Sequence, residues 1–201
     1  MAIVRSTYQG PVIIIGGAGS LYYKNGVQLC DDEGFAFKHW YAWPYVHMEY
    51  MATRMFDHGQ TGFGYFIRLF KWAKSNRENP GWFSWLFRPW ANLLLWKARQ
   101  MLTNPDTVGL IFCSRLALSM WEGVKDIQWS FLSPPWQLRD KGLRTGKYKV
   151  LVDDSAGSAD PAINNGIYNE DMAVAIVDEV ENKKLSYKHW TCTGPVGLRE
   201  W

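Results

Sequence analysis

Residues 108–123 read VGLIFCSRLALSMWEG. Val108 to Phe112 form a short apolar run with the composition of a buried strand, and Ser114 to Glu122 place Leu116, Ala117, Met120 and Trp121 at helical spacing before Gly123 stops the pattern. Read this way, a strand delivers Cys113 to the first turn of a helix. The free backbone N–H groups and positive dipole end there favour thiolate over thiol, and the same donors can stabilise an oxyanion. The plainer alternative is a buried structural cysteine at an apolar strand end, a common place for a free thiol.

Upstream, residues 11–15 (PVIII) read as a buried strand ending at a glycine turn, and Asn25-Gly26 marks a hairpin-like reversal. Tyr45 to Met51 alternates as a strand would, yet the Met, Glu, Ala and Arg that continue to Arg54 suit a helix equally well. Gly59 to Gly64 breaks the chain. Tyr65 to Lys74 carries Phe66, Leu69, Phe70 and Ala73 at helical spacing, Asn79-Pro80-Gly81 turns, and Pro89 to Leu102 is a second helix with proline near its start. Downstream, Lys147 to Val152 reads as a strand, residues 153–166 as a loop, and Met172 to Val180 with Leu185 to Thr191 as two strands of a hairpin. The pattern predicts an α+β fold, a small sheet with central helices, in a single domain over residues 1–201.

With 47% apolar and 20% charged residues, 201 positions suffice for a sizeable core. The formal net charge is +3 and the basic residues are dispersed, so nothing calls for a nucleic acid partner. Cys30, Cys113 and Cys192 show neither metal-ligand spacing nor an even count, so neither a zinc site nor a closed disulfide framework is expected. The apolar run near the start is too short for a signal peptide or a membrane span, which points to the cytoplasm or assembly into a virion. Five of the 12 Trp (Trp72, Trp82, Trp85, Trp90 and Trp96) fall within 25 positions, either as core packing or as a surface for a protein partner or a second copy across residues 72–96.

Gly16-Gly17-Ala18-Gly19-Ser20 after the first strand invites a nucleotide reading, but Tyr22 stands where a third fingerprint glycine belongs and Asn25-Gly26 turns the chain too soon. No Lys-Ser or Lys-Thr follows, so the run is not a Walker loop and no cofactor is expected. Phe112-Cys113-Ser114-Arg115-Leu116, then Ser133-Pro134-Pro135-Trp136-Gln137-Leu138, with Gly62-Phe63-Gly64-Tyr65 upstream, resembles the circularly permuted papain-like hydrolases related to the NlpC/P60 group over about residues 40–140. The resemblance implies a cysteine hydrolase of amide or ester bonds, with a cell-wall peptide as one substrate. Cys113 would be the nucleophile, His47 in Tyr45-Val46-His47-Met48-Glu49 the base, and Glu49 the residue orienting it; His39, His58 and His189 compete for the base role. The chain departs from the family pattern in lacking a serine before His47 and a Gly-Asp opening. The contrasting reading, from the Trp-dense middle and the scarcity of catalytic groups, is a non-enzymatic structural subunit of a virion or other large assembly.

Overall fold

A computed structural model describes residues 10–139, 142, 144–152, 157–160, 164 and 166–196. In chain order its elements are β1 (Val12–Ile15), α1 (Phe35–Ala42), α2 (Tyr45–Asp57), α3 (Thr61–Glu78), α4 (Ser84–Leu102), α5 (Pro105–Glu122), β2 (Trp129–Leu132), β3 (Leu138–Arg139), β4 (Lys149–Val152), β5 (Ile167–Tyr168), α6 (Asn169–Asn182) and β6 (His189–Thr193). Short 3-10 turns cover Ala18–Ser20 and Leu29–Asp31. The chain forms two compact units, one from residues 10–32 with 109–196, the other from residues 33–108.

In the first unit, a mixed sheet runs in the order β1-β2-β6-β4. Its first three strands are parallel, with Val12 opposite Trp129 and Phe131 opposite His189, while β4 lies antiparallel to β6. Parallel pairing forces a crossover between strands, and such sheets are covered on both faces. Strand β2 shows the result, being buried at all four positions. Trp129 and Phe131 face α5 and pack with Leu118, Val124 and Ile127, with Val12 and Ile14 of β1 on the same side. Leu132 faces the other way, into a second cluster with Ile167, Ala175, Trp190 and Cys192 below α6. The Trp190 indole N–H donates to Ser130 Oγ at 2.7 Å, so the polar side chain on that face is satisfied. A separate two-stranded parallel pair joins β3 to β5.

Two expectations fail here for a shared reason. Residues 108–112 belong to α5, because Asn104-Pro105 starts the helix early: Asn104 Oδ1 accepts from Thr107 N at 2.8 Å as a cap, and proline occupies the first helical position. Residues 172–180 lie in α6, with Asp171, Ala175 and Glu179 buried at four-residue spacing. In both segments aliphatic density mimicked a strand, whereas the buried positions follow the helical period. The predicted second hairpin strand survives as β6, and Asn25-Gly26 does form a tight reversal, with Gly26 at φ +77° and Tyr22 bridged to Gln28. Part of the predicted loop 153–166 lies outside the described residues.

The second unit is helical. Helix α3 packs against α2 and α4. Trp40 stacks on Trp43 with ring centroids 4.9 Å apart and meets Phe70 edge-on, giving α1 an aromatic seat. Lys74 is buried, donates to the Trp43 carbonyl at 2.8 Å and lies 4.9 Å from the Tyr45 ring centroid, so its charge is compensated by a carbonyl and an aromatic face; burial holds its pKa below the ordinary lysine value. On α4 the buried positions are Ala91, Leu95, Ala98 and Leu102, one stripe of the helix.

Three measurements test this architecture. Asp171 is fully buried at the start of α6 and accepts from Thr145 N, Thr145 Oγ and Gly146 N at 2.7–2.8 Å. Asp171→Ala leaves those donors unanswered and is expected to cost about 2–3 kcal/mol in urea unfolding. Cys113 is exposed, whereas Cys192 is sealed in the sheet and pushed up to about 12 by burial. Iodoacetamide at pH 8 is expected to modify Cys113 in the native protein and Cys192 only after unfolding; equal native labelling contradicts the placement of β6. Glu49 accepts from Lys71 at 2.8 Å and from Arg68 at 2.7 Å, and the Lys71 bond, followed by Arg68, outweighs burial and holds its carboxyl below the usual range. A depressed carboxylate stabilises the fold above its unfolded pKa of about 4.3, and that contribution fades as pH falls through the lower folded value. Glu49→Gln is therefore expected to lose about 0.5–1 kcal/mol at pH 7, with the gap from the parent closing under acidic conditions below about pH 4.

Candidate functional site

The carboxyl ends of β1 and β2 carry the concentration of buried polar side chains that the sheet itself does not use. β1 leads through Gly16 and Gly17 into the Ala18–Ser20 turn, and β2 is followed by Ser133, whose N–H donates to the Trp190 carbonyl at 2.9 Å. His189, opposite Phe131 at the start of β6, points to the α5 side of the sheet, where Phe131 and Ser133 also point. The three side chains meet. Ser133 Oγ lies 2.7 Å from His189 Nε2 and 2.6 Å from Ser20 Oγ, while Ser20 Oγ is 3.4 Å from the same nitrogen and donates to Gly17 O at 3.0 Å. Ser20 and Ser133 are fully buried, and His189 is 5% exposed.

Such a row of hydroxyls and imidazole has two proton arrangements. With the proton on Nε2, the ring donates to Ser133 and Ser133 donates to Ser20; with it on Nδ1, the direction reverses and Ser133 donates to the ring. In the first arrangement Ser20 donates its own proton to Gly17 O; in the reversed one it donates to Ser133 instead. Tyr22 lies over the group with its ring centroid 6.4 Å from that of His189, and the 157–160 segment closes on Tyr22: Tyr22 N donates to Ser158 Oγ at 3.1 Å and Ala159 N to Tyr22 O at 2.9 Å.

The glycines are spent on packing. A Cβ on Gly16 would overlap the Phe131 ring, and one on Gly19 would overlap Ser114 Oγ and the Ile111 carbonyl of α5. Close approach of loop to helix and sheet, not a cradle for phosphates, is what these positions require. The helical turn that follows has three residues, too short to supply the helix N-terminus on which a pyrophosphate sits.

The residues singled out in the sequence do not assemble into a cysteine-hydrolase centre. Cys113 lies in the middle of α5, well past the first turn where a helix end influences a thiol. Its neighbours Ser114 and Arg115 face the loop, Ser114 hydrogen-bonding Ile111 O and Arg115 pairing with Asp31 and Gln28, which turns Cys113 outward. His47 belongs to the second unit, buried on α2 with its ring 4.7 Å from Trp43 and stacked on Tyr50. Glu49 faces away from that imidazole, bound by Lys71 and Arg68. Of the competing histidines, only His189 joins a cluster with nucleophile-type side chains among the described residues, while His58 is held at the end of α2 by Arg54 and His39 packs on Phe35. Ser20 and Ser133 were not recognised as site residues; their signal was position, Ser133 directly after β2 and Ser20 at the close of the glycine turn that follows β1.

No family model matches the chain, and no curated protein matches its sequence. Three solved structures, all provisionally named, are similar in shape. An exported protein from Burkholderia pseudomallei has a TM-score of 0.53 at 20% identity over 95% of this chain and 58% of its own. An epimerase from Bacteroides thetaiotaomicron has a TM-score of 0.47 at 20% identity over 96% and 57%, and an NADH-flavin reductase from Streptococcus pneumoniae TIGR4 one of 0.44 at 17% identity over 94% and 58%. The chain thus spans under two thirds of the length of each. The likeness to the Burkholderia protein is one of fold. Together with the parallel, helix-flanked β1-β2-β6 arrangement, it corrects the papain-like expectation: the first unit is a small mixed, mainly parallel sheet flanked by helices, not a permuted papain fold. The assignment to thiol proteases and NlpC/P60-like hydrolases falls with it, and the reading as a structural subunit gains no support.

Proposed function

We propose that the first unit binds a small hydroxyl- or carbonyl-bearing molecule at the carboxyl ends of β1 and β2 and moves a proton to or from it through Ser133 and His189. Ligands of open α/β sheets lie in the crevice outside the carboxyl ends of the strands. The observation that carries the reading is the Ser20–Ser133–His189 row, brought together from three separate stretches of the chain at that edge. A structural network needs only that each polar atom find a partner. Here two hydroxyls also share one imidazole nitrogen, so a shift of one proton reorders the whole row, the property a general acid–base group requires. Ser133 is the group nearest the strand end, and His189 is the base that acts through it.

The chemistry follows from the side chains. Proton abstraction beside a carbonyl passes the proton through the Ser133 hydroxyl to His189 Nε2, and return of that proton completes an exchange without loss of any other atom. Hydroxyacetone, glyceraldehyde and D-glucose in D2O serve as probes, with deuterium uptake beside the carbonyl followed by NMR. The protein is expected to accelerate uptake for at least one probe, Ser133→Ala and His189→Gln to reduce that acceleration by about 10²-fold or more, and the His189 ring resonances to move on addition of the same probe. Buffer-level exchange for all three, with His189 resonances unmoved, counts against the assignment.

A further inference from the structure

Helix α4 is apolar on two sides. One stripe, Ala91, Leu95, Ala98 and Leu102, is buried in the helical unit. On the opposite side Leu86, Trp90 and Leu93 recur at helical spacing with Trp85 and Trp96 beside them, and with Trp82 of the preceding turn each is 45–89% exposed. The patch continues onto α3 through Trp72, whose ring lies 6.3 Å from that of Phe87. Contiguous exposed indoles on this scale mark a contact surface. Pro89 adds to it: it supplies no backbone donor, so the first turn of α4, with Trp85, is held less tightly than the rest.

Charge decides the occupant. No acidic residue stands between Glu78 and Asp106, whereas Arg88, Lys97 and Arg99 are exposed on α4 and have no ion-pair partner among the described residues. A second copy docking face to face would bring the same cations onto one another with no carboxylate of α4 to answer them. Trp and Leu facing out beside Arg and Lys is the pattern of a helix that lies in a lipid interface, indoles at headgroup depth and cations on the phosphates. Lys97, with its ammonium 5.9 Å from the Trp96 ring centroid, has the long stem needed to reach up from such a position. No described helix is long and apolar enough to cross a membrane, so the contact is with a surface. We infer that α4 and the Trp82 turn dock the protein on an anionic lipid bilayer.

The test is flotation of the full chain with vesicles of phosphatidylcholine alone or with 30% phosphatidylglycerol, paired with quenching of Trp emission by brominated acyl chains. The expected result is flotation and quenching with the anionic vesicles. Arg88→Glu/Lys97→Glu/Arg99→Glu is expected to lower affinity by about 10²-fold, and Trp85→Ser/Trp90→Ser/Trp96→Ser to cut flotation and quenching severalfold while the helical circular dichroism is kept. No flotation, or equal flotation of the parent and the charge-reversed protein, overturns the inference. So does a dimer in sedimentation that the Trp variant dissolves in the absence of flotation, which would assign the face to a second copy.

Discussion

The first unit depends on one four-residue strand. β2 hydrogen-bonds to β1 on one side and β6 on the other, and its side chains alternate between the α5 core and the α6 core. Because successive residues of a strand point to opposite faces, a shift of one residue in its register would send Phe131 toward α6 and Leu132 toward α5, spoiling both clusters at once. The same register sets the chemistry. Ser133 shares the face of Phe131, and His189 pairs opposite Phe131, so the hydroxyl and the imidazole meet because the core packs as it does. Gly16 completes the arrangement, since only a residue without a side chain lets the chain leaving β1 pass the Phe131 ring.

Much of the fold was legible from local pattern, and the rest was not, for identifiable reasons. PVIII announced β1, Asn25-Gly26 the reversal, and the spacing of Phe66, Leu69, Phe70 and Ala73 the helix that became α3. Residues 108–112 misled because apolar composition is shared by strands and buried helices; the deciding information was the Asn104-Pro105 cap upstream, which made Cys113 a mid-helix residue and removed the electrostatic basis for a reactive thiol. β2 is too short for a periodic signal, and its role comes from pairing with residues more than a hundred positions away in one direction and more than fifty in the other. The candidate site shares that difficulty. Ser20, Ser133 and His189 form no sequence motif, and only parallel pairing brings them together.

The two units draw on aromatic residues in different ways. In the first, Trp129 and Trp190 are buried and each indole N–H has an acceptor, Val124 O at 2.9 Å and Ser130 Oγ at 2.7 Å, so they act as large apolar volume with the polar atom satisfied. In the second, Trp40 and Trp43 stack on one another in the core, while the indoles of α4 remain in contact with water. Composition could register the abundance of tryptophan but not this division, because the buried and exposed stripes of α4 are both apolar and share leucine: alanine alternates with it inward, where helices must approach closely, and tryptophan accompanies it outward.

Placing residues 33–108 between β1 and β2 has a kinetic consequence. Val12 must find Trp129 across more than a hundred intervening residues, whereas α2, α3 and α4 pack against sequence neighbours. Loop closure over such a span delays the strand pairing, so the helical hairpins have time to form while the aliphatic β1 segment is still unpaired. During that interval Val12 to Ile15 is a short sticky ribbon with no neighbour of its own, and the yield of folded protein will be governed by how dilute the chains are when β2 arrives.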